Sequence, residues 1–179
     1  TLPLQRFLAK RALVNVVDQA RFKDLFESWG APAIVLEDPP KAAPEKAFEF
    51  VGDTSAFEVT VVNTFAVDEP LDIILEAAQQ LPQVRFYVLG DKRLANPEDL
   101  KRAPENVVFT DYLRGMDYWN RLYSSRAVVA LTTYPYSLLA GAQEGAAIDK
   151  PLLLSKQPAL EAYFPQGAVF IENTTEGIV

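Results

Sequence analysis

Glu144 lies in the stretch Glu144-Gly145-Ala146-Ala147-Ile148-Asp149-Lys150-Pro151-Leu152-Leu153-Leu154-Ser155. This stretch reads as the C-terminal part of an amphipathic helix, a turn and a short buried strand. A carboxylate placed there can accept two hydroxyl hydrogen bonds; the plainer role is a solvated helix residue. Other residues with reactive chemistry are few. Asp68-Glu69 could act as a catalytic or metal pair, but before Pro70 it reads more simply as an N-cap and acidic first turn of a helix. Asp91-Lys92-Arg93 reads as a solvated loop rather than a phosphate clamp. Tyr134-Pro135-Tyr136 follows a strand, where its rings can stack on a sugar or simply pack the loop. Trp29 and Trp119 read as core residues. His and Cys are both absent. That removes the usual general base near neutral pH, the commonest metal ligand, disulfides and thiolate chemistry. No glycine-rich phosphate loop of the dinucleotide or Walker type is present. Chemistry must therefore use carboxylates, Lys, Arg, Tyr or groups brought from elsewhere, and no metal or cofactor is expected.

Composition bounds the setting for these residues. A length of 179 residues fits one domain, or one domain plus a piece of another. Apolar residues at 49% and charged residues at 23% are ordinary for a globular chain. No apolar run reaches the roughly 18 residues of a membrane span. The chain opens on Thr1-Leu2-Pro3 with neither Met nor a long apolar core. It reads as a fragment or processed chain without a signal peptide, and a cytoplasmic location is expected. A net charge of −7 and the absence of any long basic run argue against nucleic-acid binding. A small nucleotide remains compatible, since a phosphate site needs only local amides and one or two cations.

The elements that must position these residues follow from periodicity. Residues 1–40 read as helix, strand, helix, strand. Leu4 to Ala9 is apolar-periodic, and Ala12 to Val17 reads as a buried strand. Asp18 reads as the N-cap of a helix through Ser28, with Phe22, Leu25, Phe26 and Trp29 on one face and Gly30 as its stop. Ala33 to Leu36 is a second strand, broken at Asp38-Pro39-Pro40. Residues 41–56 are linker-like, with Pro44 among Lys, Ala and Glu and then Gly52-Asp53-Thr54-Ser55. From 57 to 179, strands alternate with helices. The strands are Phe57–Phe65, Val84–Leu89, Asn106–Phe109, Ala127–Leu131, Leu152–Ser155 and Ala168–Ile171. The helices begin at Pro70, after Asn96, at Asp117, Leu138 and Pro158, with a last one capped by Thr174 or Thr175. This alternation implies an α/β fold with a Rossmann-like, doubly wound parallel sheet. Ligands of such sheets bind at the C-terminal ends of the strands, here loops 65–70, 90–94, 110–115 and 132–138.

The order of these pieces resembles the C-terminal half of GT-B glycosyltransferases of the retaining, group 1 type. The resemblance is carried by Phe65-Ala66-Val67-Asp68-Glu69-Pro70, the helix ending Glu76-Ala77-Ala78, Val84 through Gly90-Asp91, Asn106 through Tyr112, Ala127 through Leu131, and the Glu144 helix with Lys150-Pro151. It covers residues 57–179. Residues 1–40 resemble the last strand-helix-strand of the acceptor-side domain, the rest of which would lie elsewhere in the same protein.

The resemblance implies a nucleotide-sugar donor site. Glu144 matches the glutamate that holds ribose hydroxyls, on a helix whose N-terminus faces a pyrophosphate. Tyr136, Ser137, Leu138 and Leu139 match the loop whose amides face the diphosphate. Gly90 and Asp91 match the turn beside the nucleoside, and Thr110, Asp111 and Tyr112 the segment that meets the base. Two departures stand out. The family's second glutamate, eight positions before the first, is replaced by Tyr136, and the loop from Asn63 to Pro70 holds Asp68 and Glu69 but no cation. The implied reaction is hexose transfer from a nucleoside diphosphate sugar to an acceptor, with no catalytic residue assigned and this piece inactive alone. The alternative is a catalytically inactive GT-B-like binding or assembly module. A peripheral membrane association is compatible with the resemblance and is not shown by this stretch.

Overall fold

A computed structural model of the chain describes residues 2–36, 39–46 and 48–179. The expected break at Asp38 lies outside the described residues. The chain forms two compact units, 1–40 and 41–179.

In the first unit, α1 (Leu2–Arg11), β1 (Asn15–Val17), α2 (Ala20–Ser28) and β2 (Ala33–Val35) follow one another, with β1 and β2 parallel. Asn15 ties the unit together by donating from Nδ2 to the carbonyls of Ala9 and Pro32, at 3.0 and 2.9 Å. Gly30 (φ 74°) ends α2: its amide reaches Glu27 O and the next amide reaches Phe26 O, satisfying two terminal carbonyls. Two expectations fail here. The strand is three residues long and not buried, since Val16 is 58% exposed and Leu13 is 96% exposed. A two-stranded sheet with so few elements has no second layer to cover both faces. The N-cap of α2 is Gln19 rather than Asp18, with the Gln19 carbonyl accepting from Phe22 and Lys23. No residue of α2 is fully buried, and Leu25 is exposed.

The second unit is built on six strands: β3 (Phe57–Val62), β4 (Val84–Leu89), β5 (Val107–Asp111), β6 (Ala127–Ala130), β7 (Leu152–Ser155) and β8 (Ala168–Ile171). Their order across the sheet is β5-β4-β3-β6-β7-β8, and every pair is parallel. The helices between them are α3 (Leu71–Gln80), α4 (Pro97–Arg102), α5 (Met116–Ser124), α6 (Ala140–Ala146), α7 (Pro158–Tyr163) and α8 (Thr175–Ile178). Alternate residues of each strand feed two cores. Val59, Val61, Phe86, Val88 and Val129 pack with Leu71, Ile74 and Leu75 of α3. Leu89, Val128, Ala130, Leu152 and Leu154 pack with Leu122, Ala142 and Leu160 from α5, α6 and α7. Burial on both faces is why β6 and the start of β7 read as unbroken apolar runs. The chain winds outward from β3 in one direction and from β6 in the other, so the crevice beyond their C-terminal ends is the switch point of the fold. No helix of the described residues is long and apolar enough to cross a membrane.

One buried ion pair sits at the far end of this sheet. Arg121 of α5 donates to Glu58 of β3 at 2.7 Å, and both side chains are at most 5% exposed. Glu58 also accepts from the Tyr87 hydroxyl and the Asp53 amide, each at 3.1 Å, and the guanidinium lies 4.0 Å from the Tyr87 ring centre. Gly52 permits this packing: a Cβ there would come within 2.3 Å of a Glu58 carboxylate oxygen. The segment before β3 has no helix or strand among its described residues, yet it is tied along α5. Glu49 N donates to Asn120 Oδ1 and Val51 N to Ser124 Oγ, and the Phe48 ring stacks 5.2 Å from Tyr123 and 6.3 Å from Trp119.

Removing one partner of this pair leaves a buried charge without compensation. We expect Arg121→Met to cost about 3–5 kcal/mol. The double variant Arg121→Met with Glu58→Gln should cost less than the sum of its singles. Urea denaturation of the three variants measures both; equal, additive small losses would contradict the burial.

Candidate functional site

A cleft of about 460 Å³ opens at the switch point. Its walls come from five places: Val62 at the end of β3 with Asn63 and Thr64 after it, Leu89 and Gly90 at the end of β4, Tyr112 to Gly115 after β5, Tyr118 and Trp119 of α5, and Ala140 and Glu144 on α6. The position follows from topology, because each of these loops leaves the same end of a parallel sheet.

Two close approaches shape the floor. Gly90 adopts φ 149°, and a Cβ there would fall 2.0 Å from the Asn63 carbonyl oxygen, so only glycine fits. The α6 helix is seated by two more glycines one turn apart. A Cβ on Gly141 would lie 2.5 Å from Val62 Cβ, and one on Gly145 would lie 2.8 Å from Leu152 Cδ2. The helix therefore presses onto β3 and β7, and Glu144, between these two glycines, is carried to the cleft.

Glu144 is not a solvated bystander. The Tyr118 hydroxyl donates to its Oε2 at 2.5 Å, joining α5 to α6 across the cleft wall. Burial, and then the Glu144 carboxylate, push the Tyr118 hydroxyl well above its ordinary value. Tyr118 stands edge-on to Trp119, with ring centres 6.1 Å apart at 85°. Trp119, read as core, is half-buried and lines the cleft, because it lies on the first turns of α5, beside the strand ends rather than under the sheet.

The structure brings together only part of the set expected from sequence. Gly90, Tyr112 and Glu144 line the cleft; Asp91, Thr110, Tyr136, Ser137, Leu138 and Leu139 are not among its lining residues. Asp91 caps a 3-10 turn, Lys92–Leu94, and binds Arg93, whose guanidinium pulls the Asp91 carboxyl down to about 2. Thr110 donates from Oγ1 to the carbonyls of Asp111 and Val88. Tyr136 and Ser137 are half-buried in the loop before α6. Leu138 and Leu139 pack onto the core, with Leu139 as N-cap of that seven-residue helix.

Local cations are also distributed differently. Lys92 pairs with Asp111 at 3.1 Å, and Arg93 with Asp91. Beside Lys92 and the Tyr112 amide, the Asp111 carboxyl is held below its ordinary range. Arg114 lines the cleft, with its guanidinium 5.2 Å from the Tyr112 ring centre and no carboxylate partner among the described residues. The acidic pair before α3 is neither a cap nor a first turn, since Pro70 is the N-cap. Instead, Asp68 accepts from the Thr132 hydroxyl at 2.8 Å. Glu69 accepts from the Thr64 amide, the Thr64 hydroxyl and the Ala66 amide. The proline displaces the cap and turns both carboxylates into the loop. Sequence reasoning missed Tyr118, Trp119, Arg114 and the Gly141–Gly145 pair. The glycines, four residues apart beside Glu144, carried the one usable signal.

No known protein family matches the sequence, and no curated protein sequence matches it. Solved structures do resemble the fold. Sucrose-phosphate synthase from Thermosynechococcus elongatus aligns over 99% of this chain and 50% of its own, with 15% identity and a TM-score of 0.73. HepE from Anabaena, in complex with UDP, aligns over 99% and 55%, with 15% identity and a TM-score of 0.76. TarM from S. aureus, in a complex that includes UDP, aligns over 99% and 37%, with 13% identity and a TM-score of 0.70. The chain thus spans about half the length of the first two.

Two expectations follow for the site. The extra methyl of Gly141→Ala should cost about 1–3 kcal/mol by overpacking against Val62, exceeding the helix gain of about 0.5–1 kcal/mol; a lowered urea midpoint records it. Tyr118 should stay silent in an alkaline titration, so the folded chain and Tyr118→Phe should show equal tyrosinate absorbance up to about pH 11. Its folded-state value lies above the ordinary one of about 10, so its contribution to stability is whole below that pH and is lost as pH rises further.

By its parallel six-stranded sheet and these likenesses, the chain has the fold of the C-terminal half of a GT-B glycosyltransferase.

Proposed function

We propose that this chain is the donor-binding part of a glycosyltransferase, and that the cleft holds a nucleoside diphosphate sugar. The observation that carries this reading is the Glu144 carboxylate, set on the cleft wall at the switch point of a parallel sheet, opposite Gly90 and Thr64. In this reading Glu144 accepts ribose hydroxyls. Gly90 and Asp91 flank the nucleoside, and Thr110 and Tyr112 flank the base. The loop from Tyr136 to Leu139 lies toward the diphosphate and the transferred hexose. Arg114 brings to the cleft the positive charge that the loop from Asn63 to Pro70 lacks. Stabilising the leaving diphosphate is a large part of the work in such a transfer. UDP is the first donor nucleotide to test, because HepE and TarM were solved with it. The acceptor, the remaining domain and a cytoplasmic location belong to the same proposal.

One observation favours a second reading, a GT-B-like binding or assembly module without catalysis. Glu69 occupies the amides of Thr64 and Ala66, so an incoming phosphate meets a carboxylate there, and Tyr136 stands where the family's second glutamate would be.

Melting temperature with millimolar UDP, GDP and ADP, for the chain and for Glu144→Ala, tests the donor site. Ligand at about 100 times its dissociation constant adds about 2.7 kcal/mol, a rise of about 5–10 °C for a chain of this size. We expect a rise with one nucleotide, lost in Glu144→Ala. No rise with any nucleotide would defeat the donor reading and leave the module.

A further inference from the structure

We propose that Tyr118 is a positioning residue that orients Glu144 toward one hydroxyl of a ribose, so that the cleft discriminates nucleotides by a single sugar hydroxyl. This rests on the donor-site reading given above. Both side chains line the cleft, and the hydroxyl donates to Oε2. Glu144 Oε1 has no protein partner among the described residues, which leaves it as the oxygen offered to a ligand.

The bond is fixed from both sides. α5 is held at its far end by the buried Arg121–Glu58 pair and by a hydrogen bond between the Thr60 and Ser125 hydroxyls. α6 is held by the close approach of Gly141 and Gly145 to the sheet. Both helices are thus held against the sheet, so the carboxylate meets a ligand already oriented, and a ligand does not have to supply the ordering cost. A carboxylate oxygen holding a phenol hydrogen bond has fewer lone pairs for a second sugar hydroxyl. The unpaired oxygen is the stronger acceptor for the ligand. Burial keeps the phenol protonated, so the arrangement persists across the ordinary pH range.

Isothermal titration with UDP, 2′-deoxy-UDP and 3′-deoxy-UDP, on the chain and on Tyr118→Phe, tests this. In the unaltered chain one deoxy analogue should bind about tenfold more weakly than UDP and the other within about twofold. In Tyr118→Phe, UDP should weaken by about tenfold while the weak analogue keeps its affinity, so the discrimination disappears. A purely structural tie between the helices would lower the melting temperature of Tyr118→Phe but leave the ratio between UDP and its analogues unchanged, which would overturn the proposal. So would tighter binding of UDP by Tyr118→Phe, which would make the tyrosine a competitor of the ligand. If the unaltered chain binds UDP, GDP and ADP not at all, the donor reading itself falls and this inference with it. Circular dichroism of Tyr118→Phe, with Trp119→Phe as a second cleft variant, separates misfolding from loss of orientation.

Discussion

The cleft depends on a charge pair at the opposite end of the sheet. An isolated guanidinium or carboxylate in an apolar interior is costly, and hydrogen bonds to the pair offset that cost. Arg121 Nε has no hydrogen-bond partner among the described residues, and its guanidinium lies over the Tyr87 ring. Glu58 accepts from three donors, Arg121, Tyr87 and the Asp53 amide. Each of these reaches a different element, so satisfying one carboxylate fixes α5, β4 and the segment before β3 together. α5 is nine residues long, and a rod that short transmits its orientation. With Arg121 pinned under the sheet, the first turn of the helix is aimed at the strand ends, and Tyr118 and Trp119 reach the cleft without being held there by ligand.

Much of this architecture was legible in the sequence, for a physical reason. A parallel sheet covered on both faces favours apolar residues on both sides of its central strands, so Ala127–Ala130 and Leu152–Leu154 stand out as unbroken runs. Buried stripes such as Leu71, Ile74, Leu75 and Ala78 mark a helix with equal clarity. In the first unit the same apolar signal misled, because Leu13 lies in the bend before β1 and Val16 in a sheet of two strands with too few layers to cover it.

The site was legible only where a residue's local setting decides its place. Gly90 ends a strand and Glu144 rides on a helix that follows one, so topology alone carries both to the switch point. Tyr118 and Trp119 were hidden, because aromatics on a short amphipathic helix look the same whether they face a core or an opening. Asp68 and Glu69 were misread for a related reason. Asp68 finds Thr132 across the sheet and Glu69 turns back onto Thr64 within its own loop, and a helix-cap argument looks only forward into the helix. Arg114 escaped notice since nothing in a loop sequence distinguishes a cation facing a cleft from one facing water.

The seat of α6 is made by what two residues lack. Gly141 and Gly145 offer no functional group, yet every atom added to them intrudes on Val62, Leu152 or Val128. Chemical richness and mutational intolerance are thereby separated along this helix. By contrast, the charges of Asp91-Lys92-Arg93 answer mainly to one another and to Asp111. The two bare positions beside Glu144 are held by steric necessity alone, and a survey that weighs residues by their reactive groups would pass over them.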